Sequence, residues 1–229
     1  MTRNSKTKDL VLMGIMTAII FVMGLTPIGY IKTGTLSIAL ITIPVSIAAY
    51  ALGPKGGTVA GLFFGITSAI MAFTAPSALM VKLMDISPAK VVILCVVPRV
   101  LVGLCSGTIS HFLRKGTIPS APAGTISAPS PDEIQPRKSR IPSAVSGGIT
   151  GFSVAFLNTV FFMSSLLFLF GNSDVVQGMK HHENLVLFII AVVTINVIIE
   201  WVSCTVITSG VAAALKSARL IDTPKKAEA

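Results

Sequence analysis

Charge is scarce in this chain. Aspartate, glutamate, lysine and arginine together make up 12% of its 229 residues, roughly half the share carried by a soluble domain. So few charges do not cover a water-facing surface, and this argues against a soluble catalytic domain. Cysteine is scarce too. Cys95, Cys105 and Cys204 all fall inside apolar runs, where they read as small buried hydrophobes and not as a disulfide framework or a metal site. The chain has no Gly-x-x-x-x-Gly-Lys-Ser/Thr loop, so it is not its own ATPase by that route. His-Glu-x-x-His and Gly-x-Ser-x-Gly are also absent. His111 stands at a helix end, and the adjacent His181 and His182 point in different directions on a helix. No metal site and no cofactor are expected.

What the chain has is apolar length. Hydrophobic residues make up 52% of it and the mean hydropathy is +0.84. Apolar runs at 10–26, 36–53, 57–74, 90–112, 144–170 and 185–214 are each near or above the ~20 residues that cross a ~30 Å hydrocarbon core. The first lacks a small-residue cleavage site and more runs follow, so it reads as a retained helix and not a signal peptide. The second and third are joined by Gly53, Pro54, Lys55 and Gly56, residues that stop one helix and start the next. The expected fold is an all-α integral membrane protein: one membrane domain over 1–229, a bundle of six transmembrane helices, multi-pass in the cell membrane.

Orientation follows from the basic residues. With the N-terminus inside, 13 of the 18 lysines and arginines face the cytoplasm. Lys32, Lys82, Lys90 and Lys180 face outward, and Arg99 stays within the fourth span. Both termini are then cytoplasmic. The net charge of +9 is explained by this topology, with lipid and not nucleic acid as the partner. Segment 116–143 is rich in Pro, Ser and Ala. It cannot bury enough apolar surface to fold alone, and reads as a flexible cytoplasmic linker between two three-helix halves.

The informative residues are polar groups placed inside apolar runs. Arg99 follows Pro98 near the middle of the fourth span. Asn158 and Thr159 lie in the fifth, Asn196 and Glu200 in the sixth. Such groups are expensive in hydrocarbon and usually face a cavity or a partner. Asn196 and Glu200 are four apart, hence on one helical face. Two arrangements satisfy these residues: a buried Arg99–Glu200 ion pair with the asparagines as interhelical glue, or a polar pocket opening outward. Pro98 frees a carbonyl near Arg99, and Pro44 is expected to kink the second span. The outer loop 26–35, with Tyr30 and Thr35, reads either as a gate over the pocket or as a plain connection.

Small residues recur at four-residue spacing: Gly14 and Ala18, Gly57, Gly61 and Gly65, Gly103 and Gly107, Gly147 and Gly151. That spacing lets helix backbones approach closely. Packing inside the bundle is the default reading, and docking on another membrane protein the alternative.

An ordered set of short stretches then points to a family. They are TLSIALITIPV from Thr35, LGPKGG from Leu52, GLFFGITS from Gly61, VPRVLVG from Val97, LNTV from Leu157, and Asn196 with Glu200. Taken together they resemble the substrate-binding S components of energy-coupling factor (ECF) vitamin transporters, most of all the pantothenate-type branch. The resemblance implies a six-helix bundle that captures a water-soluble vitamin from outside. It implies a membrane scaffold (T) subunit and two cytoplasmic ATPases as partners. It implies a scaffold-docking face on the first helix, for which Gly14 and Ala18 are the matching residues. Gly14 stands where the family usually has alanine, and the long linker after Lys115 also departs from the family pattern.

Arg99, Asn158, Thr159, Asn196, Glu200 and Thr35 are the expected substrate-binding set. Arg99 suits a carboxylate through its planar donor fork. If Glu200 accepts hydroxyl hydrogen bonds, pantothenate fits; if it balances a cationic ring, pyridoxine or a hydroxymethylpyrimidine thiamine precursor fits, and folate also stays open. Two other classes remain: an intramembrane enzyme with Glu200 as base, and a structural membrane partner. No catalytic residue is assigned.

Overall fold

The structure is a computed structural model. It describes residues 3–26, 29–32, 37–115, 117–119, 138–173, 176 and 183–218, with the backbone alone for 3–6, 31–32, 37–38, 115, 117–119, 138–140 and 183–196. Six helices carry it: α1 (Arg3–Leu25), α2 (Thr42–Thr74), α3 (Ala78–Ile86), α4 (Pro88–Lys115), α5 (Ser143–Phe170) and α6 (Glu183–Ser217). Two short antiparallel ladders complete it. Strand β1 (Tyr30–Lys32) pairs with β2 (Ser37–Ala39), with Tyr30 opposite Ala39. Strand β3 (Thr117–Pro119) pairs with β4 (Lys138–Arg140). The latter joins the two ends of the expected linker; residues 120–137 lie outside the described set.

Among the described residues, five helices are long and apolar enough to cross a membrane: Thr7–Leu25, Thr42–Thr74, Pro88–Arg114, Ser143–Phe170 and Val197–Ser217. Their outer faces carry large apolar side chains such as Leu10, Phe112 and Phe168. In water such faces would be a liability; hydrocarbon solvates them.

The expected second and third spans fall together in the 33-residue α2, which is not straight. Gly53 breaks it with φ 68° and ψ −153°, a conformation open essentially to glycine alone. Pro54 follows, well placed because the first turn of a helix has no use for its missing N–H. A Cβ on Gly57 would lie 3.2 Å from the Ala49 methyl. In a straight helix those positions are ~12 Å apart, so the chain doubles back at Gly53 into a short arm (42–52) and a long arm (54–74).

The expected boundary at 36 is corrected. Residues 37–39 are strand, and the helix starts at Thr42. Pro44 therefore sits in the first turn and kinks nothing. Helix α3 lies between the expected third and fourth spans. Ser77 caps it by accepting from the Met80 N–H at 3.4 Å, and Pro88 opens α4 directly after.

Glycines set the helix spacing. A Cβ on Gly57 or Gly61 would strike the carbonyls of Gly103 or Arg99, and one on Gly65 would come 2.9 Å from Val96 Cα. The long arm and α4 thus meet backbone to backbone. Gly151 does the same on α6, 2.5 Å from the Cys204 carbonyl, and Gly147 faces Ala212. These glycines serve packing within the bundle. Gly14 meets nothing within 4 Å, and with Ala18 it lies on the exposed face of α1.

Two apolar clusters form the core. One gathers Ile20, Val45, Phe64, Val102 and Val154 from four helices. The other gathers Leu83, Leu94, Leu166 and Phe170 around α3 and the adjoining ends of α4 and α5. Between them stands Arg99.

Candidate binding site

Arg99 owes its position to the residue before it. Pro98 has no N–H to give to the Leu94 carbonyl, its partner one turn back. The Arg99 guanidinium takes that carbonyl instead, Nη1 donating at 2.8 Å. Its faces lie against two rings, Phe162 at 4.7 Å and Phe64 at 5.5 Å from the ring centres. Each such stack holds a cation by ~0.5–2 kcal/mol. Arg99 is 7% exposed, and its Nε–H is buried with no partner among the described residues. That leaves the Nε edge of the fork open, the edge that grips a carboxylate side-on.

Glu200 is not the partner of Arg99. The two form no ion pair. Glu200 instead accepts from Asn158 Nδ2 at 3.2 Å, with the Thr42 hydroxyl and the Ala39 backbone as its next neighbours. Of the two arrangements open from sequence, the direct ion pair is not the one seen: both groups are buried, each is held by neutral dipoles, and Arg99 acts on Glu200 only as a more distant charge. Asn158 gives its amide N–H to Glu200 and keeps a buried, unpartnered Oδ1.

Tyr30 arrives from the other side. The β1–β2 ribbon folds it in, its hydroxyl beside Ser68 and Thr67 without a well-formed hydrogen bond. Burial pushes this phenol above its ordinary pKa, with the Arg99 charge pulling the other way. It therefore stays protonated near neutrality and able to donate.

These groups line one cavity of about 150 Å³, roughly ten times the room one water needs. Tyr30, Arg99, Asn158, Thr159 and Glu200 form its polar wall, and Met71, Met80, Phe162 and Met163 its apolar wall. Four buried side-chain polar atoms lack partners among the described residues, and three of them belong to this wall: Tyr30 Oη, Arg99 Nε and Asn158 Oδ1. Native interiors seldom leave such groups unpaired unless something else fills the space.

Of the residues expected from sequence, the structure brings Arg99, Asn158, Thr159 and Glu200 together. Thr35 lies outside the described residues, as do His181 and His182 and the side chain of Asn196. Reasoning from sequence missed Phe64 and Phe162. Phe162 follows Asn158 by four, a readable hint; for Phe64 no local signal exists.

Residues 8–212 match the family described as ECF transporter, substrate-specific component. The chain belongs to that family. The match covers nearly the whole membrane domain and agrees with the apolar helices, so this ECF component is a multi-pass membrane protein and a transport subunit. The same ECF chain is 35% identical over 117 residues to the pantothenate transporter PanT of Leuconostoc mesenteroides subsp. mesenteroides. That match covers 48% of this chain and 55% of the relative. The chain thus spans about half the length of the curated relative it matches.

Proposed function

We propose that this ECF substrate-specific component captures pantothenate from outside the cell in the cavity around Arg99. The observation that carries the reading is the Nε edge of Arg99, buried, pinned between two rings and paired with no carboxylate among the described residues. A charged donor kept in that state calls for an anionic ligand. Pantothenate offers a carboxylate for Arg99, hydroxyl and amide groups for Asn158 and Tyr30, and a gem-dimethyl for the methionine wall. The likeness to a pantothenate transporter points the same way.

The fuller scheme belongs to the same proposal. The hairpin at Gly53 gives α2 two arms; the long arm makes one crossing and the short arm, extended by β2 and the turn before it, completes another, giving six crossings with both termini and the β3–β4 linker in the cytoplasm. The open face of α1 around Gly14 and Ala18 meets the membrane scaffold, which two ATPases drive. Thr159, Asn196 and Thr35 complete the binding set.

The test is titration of the purified chain with pantothenate, beside mass spectrometry of any ligand carried through purification. Truncating a charge-assisted buried contact costs ~2–5 kcal/mol, so Arg99→Ala should weaken binding about 30- to 4,000-fold. Arg99→Lys should also bind poorly, because an ammonium cannot copy the fork. Unchanged affinity in well-folded Arg99→Ala would sink the carboxylate clamp.

A further inference from the structure

The short arm of α2 carries polar residues every fourth position: Thr42, Ser46 and Tyr50. Facing them, α6 presents Glu200, Cys204 and Thr208, and α5 presents Ser146, Thr150 and Asn158. All nine are buried. Spacing by four, or by eight between Thr150 and Asn158 where Val154 intervenes, puts each trio on one helical face, so the three helices meet along a largely polar seam. The seam starts at the cavity, with Asn158 bonded to Glu200. Ser46 and Thr208 bond across it midway. It ends at the Gly53 turn, where Ser146 reaches the Tyr50 hydroxyl at 3.4 Å.

The last carbonyls of the short arm are held at that end. Ser110 donates to the Tyr50 carbonyl at 3.2 Å, and Arg114 donates to those of Tyr50 and Ala51 at 3.0 and 2.8 Å. A cation on a helix C-terminus is favourable, and Arg114 also lies over the Tyr50 ring at 5.8 Å. Arg114 is fifteen residues from Arg99 on α4, or ~22 Å along the axis.

Three features suit the arm to move as one unit. It is stiff and short, ~16 Å of helix. It is hinged at both ends, by Gly53 with its positive φ and by the turn at Leu40 and Ile41 that leads out of β2. Its seam has bonds that can be exchanged. Ser46 also donates to the Ile43 carbonyl at 2.7 Å, and Ser146, besides reaching Tyr50, lies 3.1 Å from that of Ser143. With a bond inside its own helix, each hydroxyl can lose a cross-helix partner without being stranded.

We infer that the arm 42–52 is a coupling rod. Seating a ligand beside Ala39 and Glu200 shifts the arm, and the shift is read at the Gly53 turn, with Arg114 as the positioning residue that latches it. This rests on the cavity being the ligand site. By linkage the effect is reciprocal: loosening the latch must weaken the ligand.

Hydrogen exchange on the purified full chain, with and without saturating pantothenate, tests this. Peptides covering Tyr30 and Ala39 report the cavity, and those covering Leu52 to Gly56 report the turn. Ligand should slow exchange at both, at the turn by fivefold or more, within the ~5- to 150-fold range of ordinary coupling. Arg114→Gln should abolish the slowing at the turn and weaken pantothenate by a factor of that order, with Arg114→Lys restoring part of each. Protection at the cavity with an unaltered turn would overturn the rod and leave the binding site standing. No protection at either place would overturn both. Should Arg114→Gln fold poorly, Ser46→Ala, which breaks the seam midway, takes its place with the same expectation.

Discussion

At the scale of single residues, the cavity works by leaving bonds unmade. Arg99 is fixed on three sides, by the Leu94 carbonyl and two rings, and Asn158 on one, by Glu200. Their remaining polar atoms face space large enough for a small metabolite. Such preorganisation spares a ligand the cost of ordering its partners. The neutral contacts should matter less than the charged one. Asn158→Ala should cost ~1–3 kcal/mol, since it strands Glu200 as well as the ligand. Tyr30→Phe removes one hydroxyl and should cost ~0.5–1.5 kcal/mol, about a 2- to 13-fold loss in affinity. Calorimetric titration of both variants beside Arg99→Ala checks the order. A Tyr30→Phe loss larger than that of Arg99→Ala would move the centre of recognition to the ribbon. The absence of a direct Arg99–Glu200 pair adds a further expectation. Removing both charges together should not restore the stability lost by removing one, as it would for a buried pair.

At the scale of elements, glycine decides which helix faces are closed and which are open. Gly57, Gly61 and Gly103 are covered by neighbouring backbone, and any larger residue there forces α2 from α4. Gly53 is needed for conformation and not for space, since only His111 comes within 4 Å of its missing Cβ. Gly53→Ala should therefore destabilise by ~1–3 kcal/mol of backbone strain, read as a lowered thermal midpoint in detergent. A midpoint equal to that of the parent would mean the reversal is held elsewhere. Gly14 presents the opposite case. Leucine there meets open space, so Gly14→Leu and Ala18→Leu should leave folding and pantothenate binding intact and stop uptake by cells. Normal uptake in both would remove this face of α1 from the scaffold contact.

At the scale of the whole molecule, the cavity and the hairpin turn lie at opposite ends of the bundle. The cavity is bounded by the β1–β2 ribbon and the start of α3, and the Gly53 turn lies beside the far end of α4. Lys8, Lys55, Arg114 and Lys216 stand at helix ends on the turn side, so that side should be cytoplasmic and the cavity should face out. Single cysteines at Ser127 and Ser173, treated in intact cells with a membrane-impermeant thiol reagent, separate the two orientations. Ser173→Cys should react and Ser127→Cys should not. The reverse pattern would turn the molecule over and make outside capture untenable.

Composition alone settles the solvent. A chain with so little charge and such apolar length belongs in a bilayer, because each helix closes its own backbone hydrogen bonds and needs only apolar side chains outward. The glycine pattern and the polar residues within apolar runs were legible for the same reason: they are local departures from a simple rule. Arg99, Asn158 and Glu200 stand out in the sequence because hydrocarbon penalises them wherever the helices turn. Their pairing was not legible. Whether Glu200 meets Arg99 or Asn158 depends on helix rotation and crossing, which follow from contacts such as Gly61 on the Arg99 carbonyl and not from spacing along one chain. The strand at 37–39 was hidden inside an apolar run, since short apolar stretches suit strand and helix equally. Only the tertiary structure carried Tyr30 across to the cavity, freed one edge of Arg99 and aligned three polar stripes into a seam. Each of these is a relation between segments far apart in sequence, fixed by how closely the glycines let the backbones approach.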